Sequence, residues 1–345
     1  MPNGILRILT ALLGVATFMG CGSKMGADLP APVSVMEQPA SFGTPVFGAD
    51  PRAVTEAGFQ LGRALFYDPA LSIDSTVSCG SCHKQTAAFA DPGQAVSAGI
   101  GSQPTRRNSP TIQNMAWRTS FMWDGRIATL HNQPIGPISN PGEMGPDFAA
   151  IVTKVAAYPR YKTLCKAAYK VDTLTDNRLL DGLAQFMGSL VSAHSRYDAH
   201  MAGDSAALSG QEKLGLQVFM GKGCNNCHRA PLFAVNDLKN NGLDDYSIDG
   251  GLYAHTNNEA DRGKFAVPIL RNVAKSAPYM HDGRFATLND VVAFYRTGIQ
   301  ASPTKDVALP TGGIAMTDTE ATALVAFLKS LTDEAFLTNG RYGKP

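Results

Sequence analysis

The chain is poor in charge, in tryptophan and in long apolar runs, and each shortage removes a class of protein. Charged residues are 17% of the 345, and the formal net charge is +1. No overall basic excess points to nucleic acid. Hydrophobic residues make up 44%, too many for a disordered chain and enough to bury a core. The one marked apolar run precedes Cys21, and it is too short to read as a membrane-spanning helix. Strand signals are few, so the expected class is all-α. Histidine is also scarce where it would matter: after His83 none occurs until His131.

What is present begins with a leader. MPNGILRILTALLGVATFMGCGS carries Arg7, an apolar stretch and small residues, and reads as a secretory signal over 1–20. FMGC resembles a bacterial lipobox, with Phe18 where Leu is usual, which makes Cys21 the expected lipidated first residue of the mature chain. Residues 21–50, rich in Pro, Gly and Ala, read as a tether. The expected location is the periplasm, with a lipid anchor to a membrane.

The cysteines carry the chemistry. Of six, four fall in two Cys-x-x-Cys-His units, Cys79–Cys82–His83 and Cys224–Cys227–His228. A disulfide, zinc or thioredoxin-like reading leaves the following histidine unexplained twice. The unit is the attachment signal of a c-type haem, with thioethers from the cysteines and an axial histidine on iron. Two covalent haems are expected, and c-type haem attachment outside the bacterial cytoplasm agrees with the leader. Cys165 remains, read as a buried free thiol in a helix.

Helices are expected at 52–66, within 147–170 and 177–201, after the cap Ser209, and over TDTEATALVAFLKSL near the end. PTIQNMAWRTSFMWDGRIATL (110–130) and PILRNVAKSAPYMHDGRFATL (268–288) share ten of twenty-one positions without a gap. The simplest account is two cytochrome c-like haem domains related by internal duplication, 51–205 and 206–345, with long haem-lining loops. The offset of 158 sets Tyr295 opposite Pro137. Tyr is a known haem-iron ligand type and Pro is not. Taken alone, a helical tyrosine is more often half-buried packing than a ligand.

The motifs LGRALFYDPALS, VSCGSCH, RRNSPTIQN, FMWDGRIATL, NQPIGPISNPGEMG, GCNNCH and VVAFYRTG follow one another from about residue 56 to 330. In this order they resemble the bacterial di-haem cytochrome c peroxidases, and within them the MauG-like branch. The resemblance implies Tyr295 as second axial ligand of the C-terminal haem, with Met280 and His281 as rivals that shape the pocket. Family members often place a removable histidine within about 90–105; ADPGQAVSAGIGSQPT has neither His nor Met. An N-terminal haem open on one face follows, with His131 the nearest alternative ligand. A Gln ten residues and a Glu twenty residues after Trp123 are Gln133 and Glu143, implied as the peroxide-orienting and proton-shuttling groups, with Trp123 as inter-haem relay. A calcium ion is implied at Asn108, Ser276 and Pro278.

The implied activity is reduction of hydrogen peroxide, with electrons from a small c-type cytochrome or cupredoxin. The alternatives are MauG-like oxidation of a protein substrate through a bis-Fe(IV) state, and a non-enzymatic electron-transfer di-haem protein. Where MauG has a surface Trp two residues before the second haem motif, this chain has Lys222, and its only tryptophans are Trp117 and Trp123; this places general peroxidase first. The ferric, haem-loaded protein is expected to give one high-spin and one low-spin EPR signal. Two low-spin signals would mean that the first iron has a second protein ligand.

Overall fold

Two packed helix pairs organise the chain, and each closes at a glycine. Helix Glu56–Phe66 starts where the Thr55 hydroxyl accepts from Gly58 N, and it lies against Asp176–Gly188. A Cβ on Gly62 would sit 1.9 Å from the Gly182 carbonyl oxygen, so only glycine permits this approach. Helix Gly210–Gly221, capped by Ser209, lies likewise against Asp318–Ser330, capped by Thr317. A Cβ on Gly215 would meet the Ala323 carbonyl at 2.0 Å. The computed structural model describes residues 34–47 and 53–345; the leader and Cys21 lie outside the described residues.

The chain is helix-rich. Among the described residues, sheet is limited to Leu238–Lys239 paired antiparallel with Phe265–Ala266. The first helix begins at Glu56 rather than 52, because the capping hydroxyl is Thr55. The helical stretch 147–170 is two helices, Phe148–Ala156 and Pro159–Tyr169; Pro159 cannot continue the first but suits the opening turn of the second. Cys165 is a free, fully buried thiol in that second helix.

Core membership does not follow the expected boundaries at either end. The first core takes side chains from Met36 to Ala193 and adds Phe336, Leu337 and Tyr342 from the C-terminal tail. Part of the expected tether is therefore docked: Phe42 and Phe47 are buried, and Trp117 Nε1 donates to Gly43 O at 2.9 Å. The second core runs from Tyr197 to Leu331.

The repeats meet through buried amides. Gln113 and Asn114 of the first copy correspond to Arg271 and Asn272 of the second. Gln113 Nε2 donates to Arg271 O at 2.5 Å, and Asn272 Nδ2 donates to Gln113 Oε1 at 2.6 Å. Asn114 takes Ser192 N on its oxygen and gives a bond to Ser192 O. The buried Asp333 carboxylate accepts from Ser192 Oγ, Ala193 N and His194 N, each at 3.0 Å. Every member of this set has partners, the condition under which a dry polar network stabilises.

A charged junction lies beside it. Arg107 grips Asp249 with two bonds of 2.7 Å and Asp124 with one of 2.5 Å. Arg126 and His255 also reach Asp124, at 2.7 and 3.0 Å. Burial pushes the Asp249 carboxyl up, but Arg107, the Gly251 N–H and Arg106 outweigh it and bring the carboxyl down to about 2. A carboxyl lowered on folding adds stability that is present above its ordinary range near pH 4 and lost as pH falls toward 2. Arg107→Leu takes the bidentate partner from Asp249 and one of three partners from Asp124, and about 2–3 kcal/mol of destabilisation is expected at pH 7. The gap from wild type in urea denaturation should narrow below about pH 4; a pH-independent gap would remove the ion pair as its cause.

Candidate functional site

The two Cys-x-x-Cys-His units adopt related local structures. In the first, Ser78 caps a single helical turn, Cys79–Cys82, and His83 N closes on Cys79 O at 2.9 Å. Ala88 and Phe89 both take left-handed backbone angles, and Phe89 O lies 2.6 Å from His83 Nδ1. A carbonyl can only accept, so Nδ1 carries the proton and Nε2 keeps its lone pair. In the second, Gly223 turns at φ 79° into Cys224–Asn226, and His228 Nδ1 lies 3.1 Å from Phe233 O. Phe233 is also left-handed. Burial pushes both imidazoles toward the neutral form, His228 to about 4. None of the four cysteines is taken up in a disulfide. Two cysteines beside an imidazole with a prepared Nε2 suit thioether attachment and axial ligation of a haem iron.

The residues expected around the first unit fall on neighbouring loops. Glu143 is half-buried, and its Oε1 accepts from Asn140 Nδ2 at 2.7 Å. Burial pushes its carboxyl up, against the Asn140 bond and the positive charge of Arg126. The carboxylate is close enough to act electrostatically on both Cys79 and Cys82. The loop without histidine is tied to it: Ile100 N donates to Glu143 O at 2.9 Å, while Ala98 O lies 3.9 Å from Cys82 Sγ. Gln133 Nε2 contacts Met122 Sδ at 3.5 Å. Arg126 and Met122 each come within 3.7 Å of the place a Cβ on Gly136 would take. His131 lies in a turn outside any helix.

Trp123 links the two halves. Its Nε1 donates to Asn108 O at 2.8 Å, and Asn108 N donates to His281 O at the same distance. The Trp123 and His281 rings meet edge-on at 6.5 Å, and His281 stacks on Phe265 at 3.8 Å. Asn108 is buried and gives its amide N–H groups to Gln94 O and Ala95 O, which leaves Oδ1 as its remaining donor atom. Gly93 N donates to Ala277 O at 3.0 Å, so the loop beneath Asn108 touches the segment holding Ser276 and Pro278.

At the second unit, Tyr295 is half-buried on helix Leu288–Thr297. Its hydroxyl oxygen accepts from Asn241 Nδ2 at 3.3 Å, and the same nitrogen lies 3.7 Å from Met280 Sδ. Burial pushes the phenol up to about 12, against the Asn241 bond. The structure thus brings Tyr295 and Met280 to one amide. Sequence reasoning missed Asn241 and the role of Arg126: Asn-Asn-Gly signals only a turn, and Arg126 signals only a repeat.

The sequence profile of the di-haem cytochrome c peroxidase family matches residues 56–206. A cytochrome c551 peroxidase of Nitrosomonas europaea is 34% identical over 80% of this chain and 80% of its own. The methylamine utilization protein MauG of Methylorubrum extorquens is 32% identical over 94% of this chain and 91% of its own. A crystal structure of a MauG-like protein associated with microbial copper homeostasis superposes with a TM-score of 0.76, at 32% identity, over 93% of this chain and 99% of that one. Together with two haem-attachment units of matching local structure, these likenesses place the chain in the di-haem cytochrome c peroxidase family, as an oxidoreductase carrying two c-type haems.

Proposed function

We propose that the chain reduces hydrogen peroxide at the haem held by Cys79, Cys82 and His83, drawing electrons from the haem held by Cys224, Cys227, His228 and Tyr295. The observation that carries this reading is Glu143: its carboxyl is half-buried and raised by that burial, and its backbone carbonyl accepts from Ile100 N of the loop that has neither His nor Met. The bound haems supply the iron that receives peroxide and the electrons that cleave it. Glu143 takes the proton from one peroxide oxygen and returns it to the departing oxygen, so that, with two electrons and two protons, two waters leave. Gln133 orients the peroxide. The Asn140 bond and the positive charge of Arg126 oppose the effect of burial on the Glu143 carboxyl. Trp123, fixed by Asn108 and edge-on to His281, relays electrons between the halves.

The same reading includes the division into haem domains at 51–205 and 206–345, derived by duplication. Its support is that Asn114 and Asn272 share left-handed angles, as do Met122 and Met280. A calcium ion at Asn108 Oδ1 and the carbonyls of Ser276 and Pro278 would brace Trp123; all these donors are hard oxygens. Export to the periplasm follows from the leader, with Cys21 as the lipid anchor. The electron donor is a small c-type cytochrome or cupredoxin.

A MauG-like role, oxidising a protein substrate, is the second reading. The phenol at position 295 favours it, because an anionic oxygen donor suits oxidised iron. Lys222 speaks against it: the side chain is bonded to Ala315 O at 2.9 Å and paired with Glu320 at 3.0 Å, an ionic tie rather than an aromatic exit. A pure electron carrier has no use for Glu143 and Gln133.

Glu143→Gln is expected to slow peroxide turnover by about 10²–10⁴-fold with both haems retained. Because a base must be ionised, the wild-type rate should fall on acidification, and burial places that fall above the ordinary carboxylate range. Steady-state turnover against pH checks both points. A Gln variant that keeps the acid limb would assign the proton to another group.

A further inference from the structure

Asn241 sits between two groups that could each bind the second iron. Its Nδ2 donates to the Tyr295 hydroxyl at 3.3 Å and faces Met280 Sδ at 3.7 Å. Its backbone has little room to move. The preceding Asn240 is buried, holds Ser302 Oγ and Thr304 Oγ1 through Nδ2, and takes Gly242 N on its oxygen at 2.8 Å. Gly242 O in turn accepts from Gln300 N at 2.8 Å. The two candidate donors are equally fixed. Met280 is left-handed within a turn closed by Gly283 N, and Ile314 N bonds Tyr295 O at 2.8 Å.

The first half has the same sulfur without the phenol. Met122 matches Met280, is left-handed like it, and also meets a side-chain amide, Gln133 Nε2 at 3.5 Å. Pro137 stands where Tyr295 stands in the second half. An amide against a thioether is thus common to both halves, and the phenol is the addition. Only in the second half does one amide touch both donors.

We propose that Asn241 is a positioning residue that selects oxygen over sulfur as the axial donor of the second haem. The inference rests on ligation by Tyr295. A phenol oxygen that accepts an N–H keeps a second lone pair for a metal, and the bond favours its anionic form. The second N–H of the same amide engages the lone pairs of the Met280 thioether, a weak acceptor and a soft ligand, and keeps them from iron. The choice has a redox consequence, because a thioether ligand raises the potential of a haem.

The test uses the full-length, haem-loaded protein at two covalent haems per chain. Wild type should show a phenolate-to-iron charge-transfer band from the ferric second haem. Asn241→Leu should weaken that band and raise the second haem's potential; Asn241→Ala, neutral and also without the N–H donor, should act in the same direction. Adding Met280→Leu to Asn241→Leu should cancel the rise in potential, since no sulfur is left to bind. If both single Asn241 variants match wild type in band and potential, the inference is wrong while ligation by Tyr295 stands. If Tyr295→Phe matches wild type, that ligation itself is wrong.

Discussion

The dry amide knot between the two repeat copies is the constraint on which the rest depends. Gln113, Asn114, Ser192, Asn272 and Asp333 are each fully buried and bonded to one another or to adjoining backbone. Buried polar groups are costly when left unpaired and directional when paired. Sliding one repeat past the other would strand several of them at once. The knot therefore holds both copies in a single register. Asp333 extends it to the tail: its N–H bonds Asn272 Oδ1, its side chain receives Phe336 N, and Phe336 packs on Phe89. Phe89 O is the group that fixes the His83 tautomer. The end of the chain is thus mechanically connected to His83 through a short series of contacts.

From that shared frame, a few positions make the halves unlike. Left-handed Phe89 and Phe233 do the same work, each turning a carbonyl toward a histidine Nδ1. The divergence lies on the facing side. The first half has Gln133, Glu143 and Arg126 around Met122. The second has Asn241 and Tyr295 around Met280. One set can move a proton and the other can present a phenol oxygen. The two repeats can differ in this way because the residues around Met122 and Met280 are not members of the knot.

Much of this was legible in the sequence, for identifiable reasons. Haem attachment needs fixed spacing within five residues, so both units could be read directly. Capping is equally local, and Ser209 and Thr317 start their helices as read. The 158-residue offset exposed Pro137 against Tyr295 before any coordinates. What could not be read depends on contacts between distant segments. Asn241 meets Tyr295 across 54 positions, and Arg63 reaches the backbone of Gly343 across 280. The docking of 34–47 was hidden because Pro, Gly and Ala composition describes flexibility in isolation. It does not reveal that Phe42 finds Trp117 edge-on at 5.1 Å. The break at Pro159 was visible in the letters, yet apolar spacing ran through it.

The low charge content takes on a different meaning once its placement is known. Asp124 is buried and shared among Arg107, Arg126 and His255, in the segment that also carries Trp123. Arg126 is therefore divided between two carboxylates: it bonds Asp124 at 2.7 Å and acts at longer range on Glu143. A group already paired lowers a second carboxyl less than a free cation would, because part of its charge is balanced. Burial therefore outweighs the Asn140 bond and the Arg126 charge, and the Glu143 carboxyl lies above its ordinary range. A carboxyl raised in this direction suits the proton transfer proposed for it better than one held low. The buried ion cluster joins the halves and also moderates the charge that reaches the site.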